Sequence, residues 1–316
     1  ACEWRDYKIN FIDTPGYPDF VGEVKGALTA ADSALIVISA PSGIEVETEK
    51  AWRYAEEAEL PRAFFINKMD REHADFQQVV EELRVRFGAG VVPVQLPIGQ
   101  EAAFQGVVDL LALHMKIVTH DEEDLIADIP EYIKGDVEEA RQKLIESVAE
   151  FNNELLEKYI EGTEITEVEV AAALIEGIQA GKIFPVFCGS AKQNIGVKKL
   201  MNGIVEYLPT PYFHVAIGMD PQDGDLKERH TEDAFSAQVF KTVVDPFVGR
   251  MSYLRIFSGT MKRCHLHASQ QGECGARRYD LLLAGQAPGA SECCGGRRYR
   301  RDDEAAVGQD GRYALR

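Results

Sequence analysis

Residues 7–20 read YKINFIDTPGYPDF, and the fold class that the sequence predicts starts from this stretch. The apolar run at residues 7–12 predicts a strand, and Asp13 follows directly at its end. An acid at the mouth of a buried strand is costly unless a charged or hydrogen-bonding group meets it there. Taken alone, Asp13 to Gly16 would be an ordinary Asp-Pro-Gly turn. The rest of the chain decides between that turn and a ligand-binding loop.

Strands and helices alternate along the first part of the chain. Apolar runs at residues 34–39 and 62–67 predict buried strands, the first of them covered on both faces. Amphipathic or charged segments at residues 19–32, 45–59 and 71–87 predict helices. Because this alternation is typical of a parallel sheet with crossover helices, we expect an α/β fold.

A different pattern interrupts the alternation from about residue 94 to about residue 182. Short strands with turns come first, then an acidic stretch, a long helix at residues 136–160 and a further helix at residues 166–181. A buried strand returns at residues 182–191, and a helix follows at residues 196–208. We therefore predict an α+β subdomain inserted between two strands of the main sheet.

The later residues divide by composition. Residues 209–232 are rich in Pro and Asp and predict a linker. Residues 233–262 alternate apolar and polar residues around a Pro-Phe-Val-Gly turn, which predicts the first strands of an antiparallel β-barrel. Residues 263–316 hold no Phe, Ile or Lys but nine Arg and four of the six Cys. Because the composition changes so abruptly, we interpret this tail as the product of a reading-frame shift just after Lys262.

The tail also contains side chains that a zinc site could use, namely Cys264, His265, His267, Cys274, Cys293 and Cys294. These cysteines lack the C-x-x-C spacing of zinc sites, and two adjacent cysteines are poor joint ligands. We therefore disfavour a zinc site.

Length and charge bound the possible functions. With 316 residues and 45% hydrophobic content, the chain is long enough for about two globular domains. A net charge of −18 argues against a protein that coats nucleic acid, and we expect no DNA partner. We find no basic-apolar leader and no apolar run long enough to span a bilayer, so we expect no membrane partner.

Three short motifs follow predicted strands, at the sheet edge where ligands bind in such folds. After the first strand, Asp13 can hold Mg²⁺ through water, and Gly16 can offer a backbone N–H to a terminal phosphate. Residues 67–70 read NKMD, and the Asp70 carboxylate can accept hydrogen bonds from N1–H and the 2-amino group of guanine. Residues 189–192 read GSAK and can meet the guanine O6 through backbone N–H groups.

Two of these motifs also have plain structural interpretations. NKMD could cap the following helix through Asp70, and GSAK could be a turn before a helix. All three motifs in this order, each at the end of an apolar strand, favour a guanine-nucleotide site.

DTPG, NKMD and SAK in this order resemble the third, fourth and fifth motifs of GTP-binding proteins. The separation of 123 residues between Asn67 and Ser190 leaves room for an inserted subdomain. The segment VPVQLPIGQEAAFQGVVDL and the later segment FKTVVDPFVGRMSYLRIFSGTMK look like elongation factor G, and the resemblance covers residues 1 to about 262. It implies a P-loop NTPase-type G domain at residues 1–208 with the subdomain at about 94–182, followed by the barrel strands.

The resemblance implies GTP and GDP as ligands, Mg²⁺ as the metal and ribosome-stimulated GTP hydrolysis as the activity. The implied nucleotide-binding residues are Asp13, Thr14, Pro15, Gly16, Asn67, Lys68, Asp70, Ser190, Ala191 and Lys192. Asp13 would coordinate Mg²⁺ through water, and Gly16 would sense the γ-phosphate. Residues 17–30 would be the second switch.

The same resemblance implies the ribosome as partner, through its RNA and its stalk protein, for tRNA and mRNA movement or for ribosome recycling. We expect a cytoplasmic monomer. The acidic stretch at residues 121–131 could dock the stalk protein, although we prefer to interpret it as a solvated face. The alternatives are a non-catalytic truncated remnant and a ribosome-protection or release-factor-type GTPase of the same superfamily.

Tyr17 departs from the family pattern, which usually has His after DTPG to orient the attacking water. A free phenol, with a pKa near ~10, is not a base at neutral pH, but it can exchange one hydrogen bond with a water. We therefore expect Tyr17 and Gly16 to lie at the reacting centre and hydrolysis to be slower or differently triggered.

No G-x-x-x-x-G-K-[ST] loop occurs in the sequence, and the family's first switch is missing as well. We expect that a segment with the first strand and this loop precedes the chain. Because the loop supplies most phosphate binding in the family, we expect the chain as given to bind GTP weakly or not at all.

Overall fold

The computed structural model describes residues 2–112, 114–118, 124–127, 129, 131–163, 165–213, 216–219, 226–233, 235–245, 249–259, 267–268, 281–283, 306–307 and 313–315. The chain forms two compact units. One contains residues 32–209, and the other contains residues 1–31 and 210–316. The predicted domain boundaries at residues 1–208, 209–232, 233–262 and 263–316 stay predictions.

In the described residues, the α-helices are α1 (Val21–Leu28), α2 (Val46–Glu57), α3 (Phe76–Phe87), α4 (Glu131–Ala149), α5 (Asn153–Glu161), α6 (Glu167–Gln179) and α7 (Val197–Tyr207). The strands are β1 (Cys2–Trp4), β2 (Tyr7–Ile9), β3 (Ala34–Ser39), β4 (Arg62–Asn67), β5 (Val91–Pro93), β6 (Gln95–Ile98), β7 (Gly106–Asp109), β8 (His114–Val118), β9 (Asp124–Ala127), β10 (Phe184–Cys188), β11 (Ala216–Met219), β12 (Leu226–Arg229), β13 (Ser236–Asp245), β14 (Gly249–Ser258), β15 (His267–Ala268), β16 (Leu281–Leu283), β17 (Ala306–Val307) and β18 (Tyr313–Leu315). None of the helices described is long and apolar enough to cross a membrane.

A parallel sheet with the order β3-β4-β10-β5 lies in the unit of residues 32–209. The predicted α/β class is therefore confirmed, and β3 and β4 have the bounds that the apolar runs predict. β4 and β10 are buried at almost every position, as a central strand requires. The prediction that β3 is covered on both faces is wrong at Val37, which is 57% exposed. Ile36 and Ile38 on either side of it are buried, so one face of β3 packs on the core and the other is exposed at Val37.

Aromatic side chains fill the space between the helices and this sheet. Trp52 of α2 stacks on Phe87 of α3 with ring centroids 4.4 Å apart, and it meets Phe184 of β10 edge-on at 4.6 Å. The guanidinium of Arg62, at the start of β4, lies 4.1 Å from the Trp52 ring centroid. Burial lowers the pKa of Arg62, and the carboxylate of Glu56 at 3.5 Å opposes that effect. These contacts fix the amino end of β4 and leave its carboxyl end for the site.

Helix α3 begins five residues later than the sequence predicts. Asp75 is its N-cap, and the carboxylate of Asp75 accepts a hydrogen bond from the Gln78 N–H at 2.9 Å. The interpretation of Asp70 as the cap of this helix is therefore wrong. The Asp70 carboxylate therefore does not cap α3.

The inserted segment begins with an antiparallel sheet of order β6-β7-β8-β9, as the short strands and turns predict. The long helix predicted at residues 136–160 is wrong in two respects, because α4 already begins at Glu131 and the segment forms two helices, α4 and α5. Asn152 separates them by accepting a hydrogen bond from the Leu155 N–H at 3.1 Å, which caps α5. Most of the acidic stretch at residues 121–131 lies outside the residues whose side chains are described.

In the second unit, the predicted strand at residues 7–12 is shorter and pairs differently than expected. β2 pairs antiparallel with β1 and is not part of the parallel sheet. Arg5 and Asp6 between them have positive φ angles of 48° and 65°, which is the geometry of a tight type I′ hairpin turn. Helix α1 is also shorter than the predicted 19–32, and a 3₁₀ turn at Pro18–Phe20 precedes it.

The ten-residue strands β13 and β14 form a long antiparallel hairpin, as the alternation at residues 233–262 predicts. They belong to a sheet of order β15-β16-β13-β14-β18-β17, so short described segments of the tail pair with them. The predicted linker contains the antiparallel pair β11 and β12. The reading-frame shift stays a prediction.

Candidate functional site

Two of the sequence motifs meet because β4 and β10 are parallel neighbours. Ile66 of β4 lies opposite Cys188 of β10, so the two strands end side by side. Asn67 is the last residue of β4, and Gly189 follows β10 directly. The NKMD and GSAK segments therefore leave the same edge of the sheet next to each other. We call residues 67–70 the first loop and residues 189–195 the second loop.

The side chain of Asn67 joins the two loops. Its Oδ1 accepts hydrogen bonds from the Lys68 N–H at 2.8 Å and from the Ala191 N–H at 2.9 Å. A backbone bond from the Met69 N–H to the Gly189 carbonyl, at 3.2 Å, adds a second link. The Asn67 side chain therefore connects the first loop to the second loop.

Asp70 and Lys68 differ strongly in exposure. The Asp70 side chain is 7% exposed, and the Arg71 guanidinium lies beside it, with Nε 3.9 Å from Asp70 Oδ2. Lys68 is exposed and has a positive φ of 63°, a strained conformation for a residue with a side chain. Met69, between them, is fully buried and anchors the loop in the core. The first loop therefore places the nearly buried Asp70 carboxylate, a hydrogen-bond acceptor, two residues after the exposed Lys68.

The second loop closes on itself before α7 begins. Ser190 is fully buried, and its backbone exchanges hydrogen bonds with that of Ile195. Its Oγ also accepts from the Gln193 N–H at 3.2 Å. Gly196 has a φ of 81°, and a Cβ at this position would lie 2.4 Å from the Cys188 carbonyl oxygen. Glycine is therefore required where the loop enters the helix.

Cys188 immediately before the second loop is not a nucleophile. It is fully buried, and burial raises the pKa of its thiol well above the ordinary value. The thiol therefore stays protonated and acts as a small apolar side chain.

The loop of Asp13 to Tyr17 belongs to the other unit and is described by itself. All five residues are exposed, and Tyr17 is 76% exposed. The Tyr17 carbonyl accepts a hydrogen bond from the Phe20 N–H at 3.1 Å, which starts the 3₁₀ turn before α1. Among the described residues, no group of three or more potential metal-binding side chains comes together.

The sequence motifs do not include several residues that hold the two loops. Gln95, Glu101, Asp109 and Lys199 all contact the loops or their flanking segments. Asp109 carries a usable signal, because it is an acid at the end of an apolar run, as Asp13 is. The other three carry no signal that sequence inspection could have detected.

Comparisons with known proteins agree with these motifs. A family model described as the elongation factor Tu GTP-binding domain matches residues 1–210. Elongation factor G of Thermotoga maritima is 40% identical over 281 residues, which is 86% of this chain and 40% of that protein. Elongation factor G of Thermotoga sp. strain RQ2 gives the same identity and coverage.

A solved structure agrees as well. The crystal structure of a protein from Thermus thermophilus matches with a TM-score of 0.74 and 30% identity, over 90% of this chain and 45% of that one. The chain therefore spans less than half the length of these relatives. Because the family model covers more than half of the chain, and the motif residues lie within the match, the chain belongs to the family of the elongation factor Tu GTP-binding domain.

Proposed function

We propose that this chain carries the guanine-recognition site of a translational GTPase of the elongation factor G type. The activity is GTP hydrolysis stimulated by the ribosome, coupled to the movement of tRNA and mRNA or to ribosome recycling. The observation that carries the proposal is the bond from the Ala191 N–H to Asn67 Oδ1, which joins two loops beside the buried Asp70 carboxylate. The family match supports the same assignment.

Asp70 selects the base in this proposal. Its two carboxylate oxygens accept from N1–H and the 2-amino group of guanine, and adenine has neither donor in that position. Binding adenine would leave this nearly buried carboxylate without donors from the ligand, with only the Arg71 guanidinium beside it, which costs about 1–3 kcal/mol. The exposed Lys68 stem covers one face of the base.

The hydrogen bonds of the second loop limit which group meets the guanine O6. The Gly189 N–H donates to the Ile66 carbonyl, and the Ser190 N–H donates to the Ile195 carbonyl. The Ala191 N–H donates to Asn67 Oδ1. The O6 contact is therefore made by the Lys192 amide, or by Ala191 after its N–H leaves Asn67. This narrows the sequence prediction, which assigned the contact to the whole loop.

Phosphate binding is assigned to Asp13, Thr14, Pro15 and Gly16, which belong to the unit of residues 1–31 and 210–316. A single exposed carboxylate suits Mg²⁺ held through water, because Mg²⁺ keeps several of its waters and takes the remaining oxygens from phosphates. When bound, the ion would neutralise charge on the phosphate oxygens. A Cβ added at Gly16 would have no heavy atom within 4 Å, so the backbone there is open to a phosphate.

Tyr17 is assigned the role of orienting the attacking water. Its phenol is exposed and can donate or accept one hydrogen bond, so it can orient a water without removing its proton. The partners in this proposal are ribosomal RNA and the ribosomal stalk protein, and the setting is a cytoplasmic monomer.

Nucleotide selectivity of the full chain tests the proposal. Saturation-transfer NMR with millimolar GDP, ADP and XDP detects weak binding. We expect GDP to bind and ADP not to bind. In Asp70→Asn the preference should move from GDP to XDP, because the amide can donate to the 2-oxo group of xanthine.

The matched control is Asp75→Asn, which makes the same exchange at the N-cap of α3 and should leave the GDP preference intact. Equal binding of GDP and ADP by the unaltered chain, or an unchanged preference in Asp70→Asn, would contradict the proposal.

A further inference from the structure

We propose that the hairpin of β6 and β7, residues 95–109, positions both guanine-recognition loops, with Glu101, Asp109 and Lys199 as positioning residues. This inference rests on the proposed function for its link to nucleotide selectivity. The hairpin belongs to the inserted segment, yet it contacts the chain beside each loop. Three contacts carry the inference.

The first contact is at the end of β10. Gln95 is 2% exposed, and its side-chain Oε1 accepts a hydrogen bond from the Cys188 N–H at 3.4 Å. Cys188 is the residue directly before Gly189. The start of the second loop is therefore held by a buried side chain of the hairpin.

The second contact is at the turn of the hairpin. The Glu101 carboxylate accepts a hydrogen bond from the His73 N–H at 2.7 Å. His73 lies three residues after Asp70, and both Glu101 and His73 have positive φ angles, 51° and 65°. Such strained backbones persist where surrounding contacts determine the conformation. The Glu101 bond is a contact of this kind for the segment after the first loop.

The third contact is an ion pair at the end of β7. Lys199 Nζ lies 2.7 Å from Asp109 Oδ2, and the two side chains are 10% and 15% exposed. Asp109 Oδ1 also accepts from the N–H groups of Leu111 and Ala112, so the carboxylate is satisfied on both oxygens. Lys199 lies in the first turn of α7, directly after the second loop. The ion pair therefore fixes the point where the second loop becomes a helix.

The hairpin is itself held in the core, so it can support the positions of the two loops. Val107 and Val108 of β7 are buried in the core. Arg141 of α4 donates hydrogen bonds to the carbonyls of Leu110 and Leu111, which extends the support beyond the hairpin. The hydrogen bond from the Ala191 N–H to Asn67 Oδ1 forms only while both loops keep their positions. Loss of one hairpin contact should therefore weaken this hydrogen bond.

Hydrogen exchange of the nucleotide-free full chain tests the positioning directly. The amides of Ser190, Gln193 and Ile195 are bonded inside the second loop, and the Ala191 amide is bonded to Asn67 of the first loop. All four serve as reporters. Lys199→Met should speed their exchange by about tenfold, because it leaves the Asp109 charge buried without its partner. The double variant Asp109→Asn with Lys199→Met leaves no unpaired charge but still lacks the contact, so its exchange should stay faster than in the unaltered chain. The control Lys143→Met breaks an exposed ion pair with Glu139 and should change nothing in this loop.

Glu101 provides a second test that does not disturb the core. Glu101→Ala should speed exchange at residues 71–75, whereas Glu101→Gln keeps an acceptor oxygen and should not. The exposed Glu138→Ala is its control. Exchange in Lys199→Met and Glu101→Ala equal to that of the unaltered chain would overturn the inference.

The ratio of GDP to ADP binding separates positioning from simple stability. In Lys199→Met we expect the ratio to fall about fivefold or more at a temperature where the variant is fully folded, and to stay lowered in the double variant, which also lacks the contact. An unchanged ratio would overturn the link to selectivity. A chain with no guanine preference at all would contradict the proposed function, while the exchange result would still decide whether the hairpin positions the loops.

Discussion

The Asn67 side chain makes two hydrogen bonds at this site. Its single carbonyl oxygen accepts two backbone N–H groups, one from its own loop and one from a loop 124 residues away in sequence. Neither hydrogen bond uses the amide nitrogen, which we propose as a donor to the edge of the base. Asp70 complements it, because a carboxylate that is almost inaccessible to water binds most strongly to a ligand with donors in the right places.

Tyr17 is the residue at which the chemistry departs from the resemblance. Replacing Tyr17 by His in a full-length protein that contains these residues should raise ribosome-stimulated GTP turnover by about tenfold or more, because imidazole accepts a proton near neutral pH. Turnover is measured as phosphate release with and without ribosomes. Tyr17→Phe is the control and should lower turnover further, because it removes the hydroxyl. Unchanged or reduced turnover in Tyr17→His would show that tyrosine is not a weakened substitute.

At the scale of elements, helix α7 connects the second loop to the core through close packing. A Cβ added at Gly203 would lie 2.3 Å from the Phe187 ring of β10. The helix and the strand therefore approach more closely than any larger residue allows. The position of α7 along the strand is fixed at Gly203, at Gly196 and at the ion pair of Lys199.

Gly203→Ala tests this packing. We expect it to lower the free energy of unfolding by about 1–3 kcal/mol, because the new methyl group clashes with a fully buried ring. The control Gly135→Ala lies in α4 with no heavy atom within 4 Å of the new Cβ, and it should stabilise the chain by about 0.5–1 kcal/mol. Urea unfolding followed by tryptophan fluorescence measures both. Equal effects of the two substitutions would contradict the packing account.

The elements also show what sequence patterns can and cannot predict. β3 and β4 were predictable because each is a continuous apolar run between turn residues. The hairpin of β1 and β2 was not, because its type I′ turn uses Arg5 and Asp6 rather than the usual Asn and Gly. The break between α4 and α5 was missed because the helical pattern continues through it, although Asn152 is a recognisable cap.

At the scale of the whole molecule, the candidate site separates into a predictable and an unpredictable part. Asn67, Asp70 and Ser190 stand in short motifs at strand ends, so local sequence identifies them. The supports of the loops join residues that are far apart in sequence, such as Asp109 with Lys199 and Glu101 with His73. These pairs depend on where the inserted segment packs, and no local pattern encodes that position.

The central claim is that guanine binds between the first and second loops. Hydrogen exchange of the full chain with and without millimolar GDP measures this most directly, with ADP at the same concentration as the control. We expect GDP to slow exchange in residues 67–71 and in residues 189–195 together, and ADP to slow exchange in neither segment. Protection of only one segment, or equal protection by the two nucleotides, would contradict it.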